Sequence, residues 1–153
     1  LIPELKSLQD SGGSKPVIKL YEGKSGIRFI LTDVLNALGE AKEKEYYVYS
    51  AAGVREDVYA AEPGFNRKRI KANIKVKTIS LSPGGGTYGL DARKWIKTDR
   101  DQSLNATYML IYAGKCALIS RDSQDKPVGV IIENQMIYET QKRIFQQLWQ
   151  LLK

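Results

Sequence analysis

The most informative chemical feature of this sequence is the absence of histidine. Ser-His-Asp and Cys-His nucleophile activation, phosphohistidine chemistry and most zinc sites are thereby excluded. Gly23-Lys24-Ser25 has the ending of a phosphate-binding loop, but Ile18 stands where that motif needs a glycine five residues earlier. These glycines therefore read as a strand-to-helix turn, whose free N–H groups can still face an anion. The carboxylates form no acid/base pair: Glu43, Glu45, Glu56, Asp57 and Glu62 fall among lysines or in surface turns. Glu133 precedes a helix start, where its charge suits the helix dipole. No metal-ligand spacing and no cofactor motif is present. The single Cys116 cannot form an internal disulfide, which suits a reducing, cytoplasmic setting.

The charge is unbalanced, with 24 Lys and Arg against 17 Asp and Glu, a formal net charge of +7. Six of those cations lie in Arg67-Lys68-Arg69-Ile70-Lys71-Ala72-Asn73-Ile74-Lys75-Val76-Lys77. Helical spacing groups Arg67, Lys68 and Lys71 and turns Ile70 and Ile74 inward; strand alternation puts Lys75 and Lys77 outward. This is a solvated face first and a candidate nucleic-acid surface second, because no aromatic platform is interleaved with it. The loop Gly84–Gly86 reads as either a mobile lid or an unpartnered turn.

Positioning such residues falls to an alternation of elements. Pro16 opens a strand at Val17–Glu22. Ile27, Ile30, Leu31, Val34, Leu35 and Leu38 mark one helix face that ends near Gly39. A strand at Glu45–Ser50, a short helix over 53–61, a basic helix over 65–73 and a strand over 75–81 continue the rhythm of βαβ units. A short helix is expected over 91–97. Strands at 107–112 and 115–121, joined by Ala113-Gly114, form a hairpin, and a further strand covers 128–132. Asn134 is a helix N-cap, and Ile137, Ile144, Leu148 and Leu151 define the inner face of the closing helix. Leu1, Leu5 and Leu8 suggest the tail of an amphipathic helix, and Asp10–Ser14 a linker. The chain thus divides into 1–14, linker, and 15–153, one α/β domain: a mixed parallel/antiparallel sheet with helices on both faces. No apolar run reaches membrane-spanning length and no signal peptide opens the sequence, so no membrane partner is expected.

Several segments resemble the effector region of the TrmB family of transcriptional regulators: Lys15–Gly23, Arg69–Lys77, Ile111–Ser120 and above all Val128–Phe145. The resemblance implies a phospholipase-D-like fold and a ligand-sensing, dimerising domain. It would act on a DNA-binding winged helix-turn-helix outside this chain, through a small-molecule effector and a homodimer. Enzymatic relatives of that fold carry H-x-K-x-x-x-x-D. With Lys115 at the motif lysine, the histidine and aspartate positions are Ala113 and Ser120, so the catalytic motif is absent and no enzymatic activity is expected. Ligands in α/β sheets sit at strand ends, which nominates Tyr21, Glu22, Ser50, Lys115, Ser120 and Asn134 as pocket residues. The alternative reading is a nucleic-acid-binding module using Arg67, Lys68, Lys71, Lys75 and Lys77.

Overall fold

The computed structural model describes residues 15–97 and 106–153. The expected helix tail and linker, 1–14, lie outside those residues. Along the chain come β1 (Val17–Glu22), α1 (Gly23–Gly39), β2 (Glu45–Ser50), α2 (Ala52–Ala61), α3 (Phe65–Lys71), β3 (Lys75–Ser80), β4 (Asp91–Trp95), β5 (Tyr108–Tyr112), β6 (Lys115–Arg121), β7 (Pro127–Glu133) and α4 (Gln135–Leu151). The strands form a seven-stranded sheet in the order β1-β7-β6-β5-β2-β3-β4. β2, β3 and β4 pair in parallel, while the β5-β2, β6-β5, β7-β6 and β1-β7 pairs are antiparallel. It follows that β1, β2, β3, β4 and β6 run one way and β5 and β7 the other. The C-terminal ends of the five codirectional strands therefore share one end of the sheet with the starts of β5 and β7.

Helices lie on both faces. On one face α1 buries Ile27, Ile30, Leu31, Val34 and Leu38 against Tyr46, Val48, Leu110, Ala117 and Ile131. The i, i+3, i+4, i+7 spacing read from the sequence is what makes this stripe, and each such side chain contributes about 1.5–3 kcal/mol on burial. Val54, Val58 and Ala61 of α2 and Phe65 of α3 extend the same core. A Cβ at Gly26 would come within 2.9 Å of the Tyr21 backbone, so α1 folds back this closely on β1 only with glycine there. On the other face, among the described residues, α4 covers Tyr47, Ile79, Ile111 and Cys116.

Three expectations need correction. Residues 91–95 are an edge strand, not a helix, because Val76–Ser80 of β3 offers an open parallel partner; the backbone hydrogen bonds gained there override local preference. In α4 the buried side chain is Phe145, while Ile144 and Leu151 are exposed. Tyr138, Leu148 and Trp149 join Phe145 in the interface, so the inner stripe is rotated toward the aromatic residues. In α3, Arg69 turns inward and Ile70 outward. Asn134 does cap α4, its Oδ1 accepting from the Ile137 N–H at 3.0 Å, and Lys94 Nζ donates to the terminal carbonyls of Trp149 and Leu152 at 2.7 and 3.0 Å.

Candidate functional site

The register sorts the six nominated pocket residues into two groups. Glu22 lies opposite Val128, which lies opposite Ser120. Tyr21 is one position away, and Ser50 ends β2 at the same edge. Lys115 begins β6, and Asn134 follows β7, both at the far end of the sheet. Lys115 and Ser120 are five residues apart on one strand, about 17 Å at strand rise, so they do not share a pocket. Lys115 instead closes a polar clamp: its Nζ donates to Asp33 Oδ2 at 3.0 Å, and Tyr112 Oη donates to the same oxygen at 2.7 Å. Burial, and then this hydrogen bond to Asp33, push the Tyr112 hydroxyl far above its ordinary range.

The basic run is divided as well. Arg67, Lys68 and Lys71 project from α3, on the same sheet face as α1 and α2. Lys77 lies on the α4 face, its Nζ 5.8 Å from the Trp149 ring centre, and alternation puts Lys75 on that face too. Lys68 pairs with Glu62 at 3.4 Å, and Lys77 approaches Glu45 at 3.9 Å. These five cations do not form one contiguous surface.

What does converge lies at the C-terminal ends of β2, β3 and β4. Arg93 and Trp95 are two apart on β4, and their partners across β3 are Thr78 and Ser80, which lie on the α1–α3 face. Facing them, α2 presents Arg55 and Tyr59 one helical turn apart. The start of α2 is held by Ser82, whose Oγ accepts from the Ala52 N–H at 2.8 Å, in place of a capping side chain at Ala51. The chain after Ser82 then folds over the site. Gly86 O accepts from Arg93 Nε at 2.9 Å, and Gly84 O accepts from Trp95 Nε1 at 2.9 Å. Arg93 Nη1 also donates to Ser80 Oγ at 2.6 Å. Gly85 has φ +89°, and a Cβ there would meet the guanidinium groups of both Arg55 and Arg93.

Two arginines therefore lie against one glycine. Burial, and then the neighbouring Arg55 charge, lower the Arg93 pKa from its ordinary value. An arginine stays charged regardless, so two like charges are held near one another here. Among the described residues, no carboxylate forms an ion pair with either guanidinium, and the acceptors that hold Arg93 are neutral. Arg121 nearby differs, being neutralised by Asp57 at 2.9 Å and Asp125 at 3.6 Å. The Ser50 hydroxyl is buried without a hydrogen-bond partner among the described residues. Beside the start of α2 a cleft of ≈ 310 Å³ opens, lined by Gly53, Val54, Ala106, Ser120, Arg121 and the carboxylates Asp122 and Asp125. Ser120 is thus near the convergent site, and Tyr21, stacked on Phe29 at 5.0 Å, belongs to the packing of α1. Sequence reasoning missed Arg55, Tyr59, Arg93 and Trp95. The available signal was a cation and an aromatic at i, i+4 on a helix and again at i, i+2 on a segment that proved to be a strand.

Cys116 is not part of this site. It lies beneath α4, and burial pushes its thiol up to about 11. The direction disfavours thiolate, the reactive form, by on the order of 100-fold relative to a free thiol. The folded chain is expected to react with a thiol reagent at pH 8 at least tenfold slower than the urea-unfolded chain. Equal rates would mean that α4 opens freely.

The arrangement is a phospholipase-D-like α/β fold. The chain superimposes on NucT from Helicobacter pylori with a TM-score of 0.61 and 12% identity, over 90% of this chain and 98% of that one. It superimposes on Nuc from Salmonella typhimurium, a phospholipase D family member, with a TM-score of 0.51 and 14% identity, over 91% and 97% of the two chains. TrmBL2, an archaeal chromatin protein whose structure shows a mode of DNA binding, aligns at a TM-score of 0.49 and 12% identity. That alignment takes in 99% of this chain and spans 59% of the length of TrmBL2. No protein-family model matches the chain, and no curated protein sequence is significantly similar to it. Among the described residues, no helix is long and apolar enough to cross a membrane, and no three His, Cys, Asp or Glu side chains are placed to hold a metal ion.

Proposed function

We propose that the chain is a nucleic-acid-binding module on a phospholipase-D-like scaffold, holding a backbone phosphate between Arg55 and Arg93 without hydrolysing it. The observation that carries this reading is the convergence of two guanidinium groups on Gly85 with no carboxylate paired to either among the described residues. Arginine forks match the geometry of phosphate oxygens, and a partly desolvated pair loses its mutual repulsion when an anion enters. The net charge of +7 supplies long-range attraction of the same sign. Hydrolysis is left out of the proposal because the nucleophilic histidine of the fold's enzymes has no counterpart in the sequence.

The test is fluorescence anisotropy with a labelled oligonucleotide over a salt series. Arg55→Gln/Arg93→Gln is expected to weaken binding at least tenfold and to lower the slope of log K against log salt by about 1–2. Unchanged affinity and slope in the double variant would remove this site from the interface. Release of nucleotides by the unmodified chain, abolished in the double variant, would overturn the non-catalytic part.

A second reading rests on the buried Ser50 hydroxyl, unpartnered among the described residues, and the polar cleft near the start of α2: a small polar effector occupies the site. The chain is then the sensing and dimerising domain of a regulator with an attached DNA-binding domain. The exposed Ile18 and Leu20 of edge strand β1 offer such a dimer an apolar face. Oligonucleotide length separates the two: affinity rising with length supports the first, whereas saturation by a mononucleotide with no gain on lengthening supports the second.

A further inference from the structure

Resting on the nucleic-acid reading above, we propose that the site selects single strands over duplex, with one base stacked on the Trp95 indole while its phosphate lies between Arg55 and Arg93. Arg93 and Trp95 are i and i+2 on β4, so their side chains leave the same face about 7 Å apart, close to the span from a nucleotide's phosphate to its base. β4 is an edge strand of the sheet, and Trp95 is 44% exposed. An exposed indole is ordinarily free to turn, but this one is fixed: Nε1 donates to Gly84 O. The same loop fixes the cation through Gly86 O and Arg93 Nε. One short glycine segment thus orients both a phosphate-binding group and an aromatic face. Tyr59, 36% exposed and one turn from Arg55, repeats the pairing on α2.

An aromatic face is of no use to a duplex, whose bases are already stacked on one another. A single strand can splay a base onto it, and stacking is tolerant of base identity because every base has a π-face. The convergent pair of arginines alone would serve either substrate. The fixed indole beside them is what separates the two, and the expected selectivity is independent of sequence.

The experiment uses the full chain with a 12-nucleotide single strand, the blunt duplex of the same sequence, and the single strand carrying abasic positions. Trp95→Ala is expected to weaken binding of the intact strand on the order of tenfold, to leave the salt slope as it is, and to leave duplex affinity unchanged. Trp95→Phe, which keeps an aromatic face but loses the hydrogen bond to Gly84 O, binds between Trp95→Ala and the unaltered chain. The abasic strand binds the unaltered chain on the order of tenfold more weakly than the intact strand, and the difference vanishes in Trp95→Ala. The abasic comparison needs no variant to fold. Duplex binding as tight as single-strand binding, or an abasic strand bound as well as the intact one, overturns the stacking proposal while leaving the phosphate site standing. Failure of Arg55→Gln/Arg93→Gln to alter binding overturns the underlying reading instead.

Discussion

Arg69→Ala is expected to destabilise the chain by about 3–5 kcal/mol, the cost of removing one partner from a buried ion pair. Arg69 is 1% exposed, and its guanidinium closes the lower end of the α3–β3–β4 corner. Nη1 donates to Ile74 O at 2.9 Å, Nη2 donates to Tyr88 O at 3.1 Å, and Asp91 Oδ1 lies 3.7 Å from Nη2. Taking the side chain away leaves two carbonyls without a donor and a buried carboxylate without a counter-charge. Urea unfolding followed by circular dichroism would measure the loss. Arg69→Met/Asp91→Leu removes both charges at once and should recover much of it, since replacing a whole buried pair by apolar side chains is often close to neutral. If the single variant loses less than about 1 kcal/mol, the value of a surface pair, the corner is wetter than its geometry implies.

Arg69 also shows where the sequence was legible and where it was not. The apolar stripe of α1, the Ala113-Gly114 hairpin, the Asn134 cap and the mixed character of the sheet are all written in local spacing and turn chemistry. Such patterns need only a few neighbouring residues to be read. Arg69 and Ile70 are adjacent on a seven-residue helix, too short for periodicity to fix its phase. The choice between them was made by Asp91 and the Tyr88 carbonyl, about twenty residues further on. The strand at 91–95 was hidden for a related reason: Asp-Ala-Arg-Lys-Trp has weak strand preference, and only the open edge of β3 makes it one. Missing that strand hid the site, because Arg93 and Trp95 share a face in an extended segment and not in a helix. The nomination of strand termini places Ser50 and Ser120 near the convergent residues. Lys115 and Asn134 lie at the other end because Lys115 begins β6, which is codirectional with β2, while Asn134 follows β7, which runs the opposite way, a matter of topology that no local pattern reveals.

Gly85→Ala is expected to reduce oligonucleotide binding at least tenfold while lowering the unfolding temperature by roughly 2–12 °C. Two effects act at this position. The φ of +89° disfavours any residue with a Cβ, at a cost of order 1–3 kcal/mol; in a chain of this length each kcal/mol corresponds to about 2–4 °C. The added methyl group also occupies the space where the Arg55 and Arg93 guanidinium groups meet, so both must move. Arg93 then loses its hydrogen bonds to Gly86 O and Ser80 Oγ, and the fork no longer converges on one anion. Gly84→Ala separates the two effects. Its φ of +86° is equally unsuited to alanine, yet a Cβ there has nothing within 4 Å. The Gly84 variant should therefore share the thermal loss and keep the affinity. Differential scanning fluorimetry and anisotropy on the two variants and the unaltered chain are sufficient. Equal loss of binding in both would assign the effect to loop strain alone and detach the paired arginines from phosphate recognition. Loss confined to Gly85→Ala would locate recognition in the space between the two guanidinium groups, where a positive-φ glycine is what lets two like charges wait side by side.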